Sequence, residues 1–246
     1  MKQTHTFHIP VMGTAFTADT PLKVAQYGID SVVSIVDDVL LERLRKIYSE
    51  KYGFDYIEIK KSIKDHRANR ITSYLNLLNE LTQKKFDEFI ESTNEKFDEI
   101  QKYFSLLPNS SDLKDEFYNL IDGSFSYEEL KKWLSENLTF GSIDVNIMTK
   151  VDKSNFFKNE ELSVEYNDAH AALRGYAMSD LASSVIFSAG MNPRLYGYIS
   201  NFDDFYPNEN GYIKKKIVLK VSDYRSAIIQ GKFLAKKGLW VSEYRI

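Results

Sequence analysis

Cysteine is missing altogether from the 246 residues, so the chain can carry no disulfide, no iron–sulfur cluster and no thiol nucleophile. Histidine is scarce: there are four, at positions 5, 8, 66 and 170. They show no metal-ligand spacing, and His66 reads as an exposed helix residue. The motifs G-x-G-x-x-G, G-x-x-x-x-G-K-S/T, G-x-S-x-G and H-E-x-x-H are all lacking, which argues against a dinucleotide-binding Rossmann domain, a P-loop nucleotidase and an α/β-hydrolase. No stretch approaches the about 18 consecutive apolar residues that span a bilayer. The start, MKQTHTFHIP, lacks the apolar centre of a signal peptide, so a cytoplasmic protein with no membrane contact is expected. Thirty-five acidic residues against 32 basic give a net charge of −3. No basic block of the kind that neutralises phosphates stands out, so nucleic acid is not an expected partner.

What is present is enough for an ordinary globular core. Hydrophobic residues make up 43 % of the chain, and its length suits one α/β domain or two small ones. The most informative stretch is Ile143 to Lys150, IDVNIMTK, an apolar strand carrying Asn146, Thr149 and Lys150. An amide within such a strand must find partners or cost about 1–3 kcal/mol. It bonds either backbone or a ligand.

Upstream, Phe7 to Gly13, FHIPVMG, reads as a buried strand running into a turn, with Met12 and Gly13 at its carboxyl end. Thr20-Pro21 opens a helix that ends near Gly28. Ser31 to Val36, SVVSIV, has the pattern of a strand covered on both faces. Together these form a right-handed βαβ unit, whose ligands gather beyond the carboxyl ends of its strands.

From Asp38 to about Leu138 helix formers dominate. Apolar residues at Ile71, Leu75, Leu78, Phe86, Ile90, Phe97, Ile100 and Phe104 predict a long amphipathic helix or a helical hairpin. Pro108 to Ser111 breaks it, Asp112 to Ile121 forms a short helix, and Ser126-Tyr127-Glu128-Glu129 resembles a capping box. The stripe either packs on the chain itself or offers a surface for homo-oligomers or another partner. After Gly141 a β/α rhythm returns, with strands at 143–148, 184–188, 217–221 and 239–244, and helices at 167–178, after Asn192-Pro193, and after Ser222 or Asp223. The reading is six parallel strands, divided as 1–37, first β/α units; 38–140, helical insertion between the second and third strands; and 141–246, β/α units resumed.

The strand ends carry Met12-Gly13, Asn146, Ser188-Ala189-Gly190 and Lys220. This order resembles the first six units of the FMN-dependent (β/α)8 TIM barrels of the nitronate monooxygenase type, with glutamate-synthase-like flavoproteins as relatives, over residues 7–37 and 142–245. The resemblance implies an oxidoreductase acting on a small-molecule substrate. It places Met12 and Gly13 against the flavin, has Asn146 hydrogen-bond it, and sets Lys220 at its polar edge or phosphate; Lys150, Ser188 and Gly190 complete the expected FMN contacts. Members of that group continue into a Gly-Gly-His segment and phosphate loops after the seventh and eighth strands. These 246 residues hold neither, so the chain is expected to be the amino-terminal part of a longer flavoprotein, inactive alone, with its catalytic residues unassigned.

Each residue also has a plainer reading. Lys220 pairs with Asp144 or Asp223, Lys150 and Asp152 form a solvated pair, Met12 packs in the core, and Glu243 and Arg245 pair with neighbours. Arg174 and Arg194 either clamp an anion or decorate the surface. A non-catalytic α/β interaction module with a helical arm is the alternative to the flavoprotein, and a flavin-free barrel acting on a phosphorylated substrate is a third reading. Strand order separates the first two, because a doubly wound sheet reverses direction at a switch point.

Overall fold

The apolar runs do form strands, and their order is sequential. A computed structural model describes residues 5–13, 16–123 and 126–246. Its strands are β1 (His8–Ile9), β2 (Asp30–Ser34), β3 (Ile143–Met148), β4 (Phe156–Phe157), β5 (Glu160–Glu161), β6 (Ser184–Ser188), β7 (Lys216–Lys220) and β8 (Val241–Arg245). Its helices are α1 (Pro21–Val24), α2 (Asp38–Tyr52), α3 (His66–Glu91), α4 (Phe97–Ser105), α5 (Asp112–Asp122), α6 (Tyr127–Asn137), α7 (Asp168–Ala177), α8 (Pro193–Ile199) and α9 (Tyr224–Ala235). Six strands make one parallel sheet in the order β1-β2-β3-β6-β7-β8, curled as a half-barrel. Each strand neighbours the one before it in the sheet's own sequence, so there is no reversal and no switch point.

Two parts of the chain differ from expectation for local reasons. The first strand is only two residues long, because Pro10 has no N–H to give the ladder. Beyond it Met12 is 75 % exposed, so it is not a core residue. Between β3 and α7, where a plain loop is expected, β4 and β5 pair antiparallel. Lys158 and Asn159 form their two-residue turn with φ of 50° and 68°, the left-handed pair that such hairpins require.

The residues group into two compact units. One comprises Met1–Pro10, Asp19–Val32 and Leu78–Ile143. Its core is aromatic: Phe104 stacks on Phe117 with ring centroids 3.7 Å apart and planes 4° from parallel, among Phe86, Phe89, Tyr103 and Leu130. The apolar stripe is split between α3 and α4, and Phe86, Ile90, Ile100 and Phe104 are all buried. Side-chain caps hold the starts of α5 and α6, whereas Thr20, expected to cap α1, makes no such bond. Ser111 accepts from the Lys114 N–H, and Ser126 and Glu129 close a reciprocal capping box. His5 is buried, with its ring nitrogens 3.2 Å from the Leu106 carbonyl and 2.8 Å from that of Tyr27.

The second unit comprises Val11–Ala18, Val33–Leu77 and Asp144–Ile246. Asp37, Asn192 and Asp223 cap α2, α8 and α9 through side-chain oxygens. Of the two residues that could start α9, the carboxylate is used. Gly175 lets α7 approach residues 68–71 closely: a Cβ there would lie 2.7 Å from Ile71 Cγ2 and 2.9 Å from the Ala68 carbonyl.

Lys215 is fully buried in this unit. Its Nζ donates to the Ser179 and Leu181 carbonyls, both at 2.9 Å, and sits 4.6 Å from the centre of the Tyr176 ring. Burial, helped by neighbouring Lys214, pushes its pKa down to about 8. A lysine in the unfolded chain titrates near about 10.4, so between these values the unfolded state binds more protons. Stability contributed by this group is therefore complete above about pH 10.4 and is lost as pH falls through about 8. The wild type is expected to gain on the order of 3 kcal/mol over that window relative to Lys215→Met. Urea denaturation of both proteins across the window checks this; parallel curves would refute it.

Candidate functional site

The carboxyl ends of parallel strands collect the polar residues that the strands themselves cannot hold, and β2, β3, β6, β7 and β8 all end in the second unit. After β2 the chain turns at Val36 into α2, whose Asp38 is buried. Asp38 receives Arg70 Nη1 at 2.9 Å and Arg67 Nη2 at 3.2 Å. Arg67 also donates to the Val36 carbonyl at 3.0 Å and reaches Asp168 Oδ1 at 3.1 Å. Arg70 spans to the Ile59 carbonyl through Nε and Nη2. Two carboxylates and two guanidiniums thus tie the end of β2, the start of α3 and the start of α7 into one charge-balanced network.

Beside this network lies a small cleft with room for about one water molecule, lined by Ile35 and Val36, by Asn146, Ile147, Met148 and Val151, and by Asp168, Ala169 and Ala172. Asn146 is 8 % exposed. No hydrogen bond of its side chain to any described residue is formed. Asn146 lines the cleft, but its amide is not among the buried polar atoms left without a partner, which in the described residues are Ser31 Oγ, Arg67 Nε and Thr82 Oγ1.

After β3, Thr149 and the following loop are fixed by the neighbouring strand. The Thr149 hydroxyl donates to the Ser188 and Gly190 carbonyls at 3.0 and 2.5 Å, and Asn192 Nδ2 donates to the Thr149 carbonyl at 2.9 Å. Ala189 and Gly190 both have positive φ, 65° and 99°, a turn that costs the alanine about 1 kcal/mol. A Cβ at 190 would also meet the far end of Lys150, Cε at 2.9 Å and Nζ at 3.0 Å, a flexible side chain that can move aside. Lys150 folds over Gly190 and leaves its ammonium exposed.

Asp152 is not half of a solvated pair with Lys150. Its Oδ1 accepts from the Ala169 N–H at 2.9 Å, capping α7, and its Oδ2 lies 2.9 Å from His170 Nδ1. Burial alone would raise the Asp152 pKa. The bonds and charge of His170 and the helix amides outweigh it and hold the carboxyl below its usual range. His170 is buried against Tyr198, ring centroids 5.4 Å apart.

The residues expected at the site thus fall into separate places. Lys150 and Gly190 touch, and the Ser188 backbone joins them through Thr149. Asn146 belongs to the cleft. Met12 stands exposed beside Gly13, whose φ is 157°. Lys220 is exposed at the end of β7 and pairs with neither suggested carboxylate: Asp144 accepts from the Ser184 N–H and Asp223 caps α9. Arg174 is no free anion clamp, because both its Nε and Nη2 are held by Asp65. Glu243 and Arg245 pair with each other at 2.6 Å. Asp38, Arg67, Arg70 and Asp168 went unread in the sequence. The i, i+3 spacing of the arginines was the available signal, but their partners lie some thirty and a hundred residues away.

Among the described residues no group of three or more His, Asp or Glu could hold a metal ion, and no helix is long and apolar enough to cross a membrane. No protein-family model, curated protein or solved structure matches the chain.

Proposed function

We propose that the carboxyl edge of the sheet binds FMN, and that the chain is the amino-terminal part of a flavin-dependent oxidoreductase of the nitronate monooxygenase type. The observation that carries the reading is Asn146, a residue 8 % exposed within β3 whose side chain forms no hydrogen bond to a described residue. Two further features support it. The sequential strand order is that of a barrel and not of a doubly wound module. The Lys150 side chain lies over Gly190, which sets a cation beside the turn after β6.

In this reading Asn146 and the backbone at Gly190 orient the flavin, Lys150 and Lys220 favour its anionic parts, and Met12 covers one face. The flavin, when bound, supplies the redox chemistry. The chain's own residues bind and position.

Titrating the protein with FMN while following flavin fluorescence tests the proposal. Saturable quenching is expected, and Asn146→Leu should weaken binding about tenfold, the worth of one hydrogen bond of about 1.4 kcal/mol. Unchanged fluorescence at excess protein would exclude FMN and favour a non-catalytic interaction module.

A further inference from the structure

We infer that the carboxyl edge of β7 and β8 binds a multiply charged oxyanion of the phosphate kind between Lys220 and Arg245, and that Glu243 sets its affinity. The inference rests on the reading of this edge as a ligand site and adds the charge class of what it holds.

Strand register places the two cations side by side. Lys220 and Arg245 are paired positions of β7 and β8, so their side chains leave one face of neighbouring strands about 4.8 Å apart. The residues before them identify that face. Phe187, Leu219 and Tyr244 are in register across β6, β7 and β8; Phe187 packs on Tyr196 of α8 with ring centroids 5.3 Å apart, and the Tyr244 hydroxyl closes over Gly231 of α9. Side chains alternate along a strand, so Lys220 and Arg245 turn away from those helices.

Like charges directly opposite each other repel, and one counterion is built in. Glu243 takes Arg245 Nε and Nη2 at 2.6 and 2.9 Å. Lys220 is exposed, and no described carboxylate pairs with it. The nearest acids beyond the strand ends are committed elsewhere: Asp223 caps α9, and Asp152 serves α7 and His170. Lys150, lying over the turn after β6, adds a third cation. This edge is therefore positive in a chain whose net charge is −3.

An oxyanion between the two heads removes their repulsion and meets a guanidinium suited to it. It also shares Arg245 with Glu243, so carboxylate and ligand compete. Removing the acid should then tighten binding, which a merely structural ion pair would not do.

Phosphorus NMR titrations of inorganic phosphate and of phenyl phosphate with the whole chain, at constant ionic strength, test the inference. Saturable binding of at least one is expected, and the tighter of the two tells the free ion from a monoester. Lys220→Met and Arg245→Met should each weaken it about tenfold, and Glu243→Gln should tighten it about threefold. Lys132→Met and Glu128→Gln make the same charge changes at exposed positions of α6 and should stay within about twofold. Melting curves confirm that each variant folds.

No saturation with either probe, or controls that shift as far as the edge variants, overturns the inference. FMN titrated into the same samples separates the two claims. Phosphate binding without flavin binding keeps the anion site and removes the flavin; flavin binding without phosphate binding does the reverse.

Discussion

Gly141→Ala is expected to destabilise the protein by about 3 kcal/mol or more, at the upper end of what overpacking costs. A Cβ at this position would lie 2.0 Å from the Ile29 carbonyl oxygen, 2.2 Å from its carbon and 2.8 Å from the Asp30 nitrogen. Those atoms are backbone, so no rotamer change can relieve the contact. Nor can the two segments separate freely. Gly141 N–H donates to the Ala25 carbonyl at 2.8 Å, Ser31 N–H to that of Ser142 at 3.0 Å, and Ser142 N–H to Asp30 Oδ1 at 2.7 Å. Relief would break these bonds. Gly53→Ala is the control, since nothing lies within 4 Å of a Cβ there and only its φ of 75° opposes the change, a cost of about 1 kcal/mol. Equilibrium urea unfolding of both variants decides the matter: a Gly141→Ala cost no greater than the control's would show that the close approach is not as described.

Arg70→Met is expected to cost about 3–5 kcal/mol, the usual loss when one member of a buried ion pair is removed. Both Arg70 and Asp38 have side chains only 5 % exposed. The substitution strands Asp38 with Arg67 alone and leaves the Ile59 carbonyl without the two donors that now reach it. Arg67 is then drawn fully to Asp38 and away from Asp168, which lines the cleft. Converting the partner as well should recover part of the loss, because Asp38→Asn removes the uncompensated charge. A coupling of about 1–3 kcal/mol in the double-mutant cycle is expected. Simple additivity would mean that the two residues act independently.

The parts of this protein legible in its sequence are those governed by neighbours along the chain. Ile143–Met148 reads as a strand because apolar and β-branched residues run uninterrupted between turn residues, and it is one. Asn192-Pro193, Ser111, Ser126 and Asp223 each begin a helix, since a cap acts on amides two or three residues away. The first strand fails at Pro10 and the β4–β5 hairpin goes unread because Lys158-Asn159 lacks the glycine that usually announces such a turn. Asn146 was legible as a problem, a polar group where none is wanted. Whether backbone or a ligand resolves it was not.

Composition and local pattern by themselves determined an α/β chain with six sheet strands, a long helical segment after the second, and no thiol chemistry, while the order of the strands came from the structure. Those follow from covalent identity and from forces that act over a few residues. Only the tertiary structure decided that Asp38, Arg67, Arg70 and Asp168 form one network, that Asp152 belongs to His170 and not to Lys150, that Arg174 is spent on Asp65, and that Asn146 lines a small cleft. These pairings join residues far apart in the chain. Which charge meets which is set by how the strand ends and helix starts are brought together, and no spacing in the sequence carries that distance.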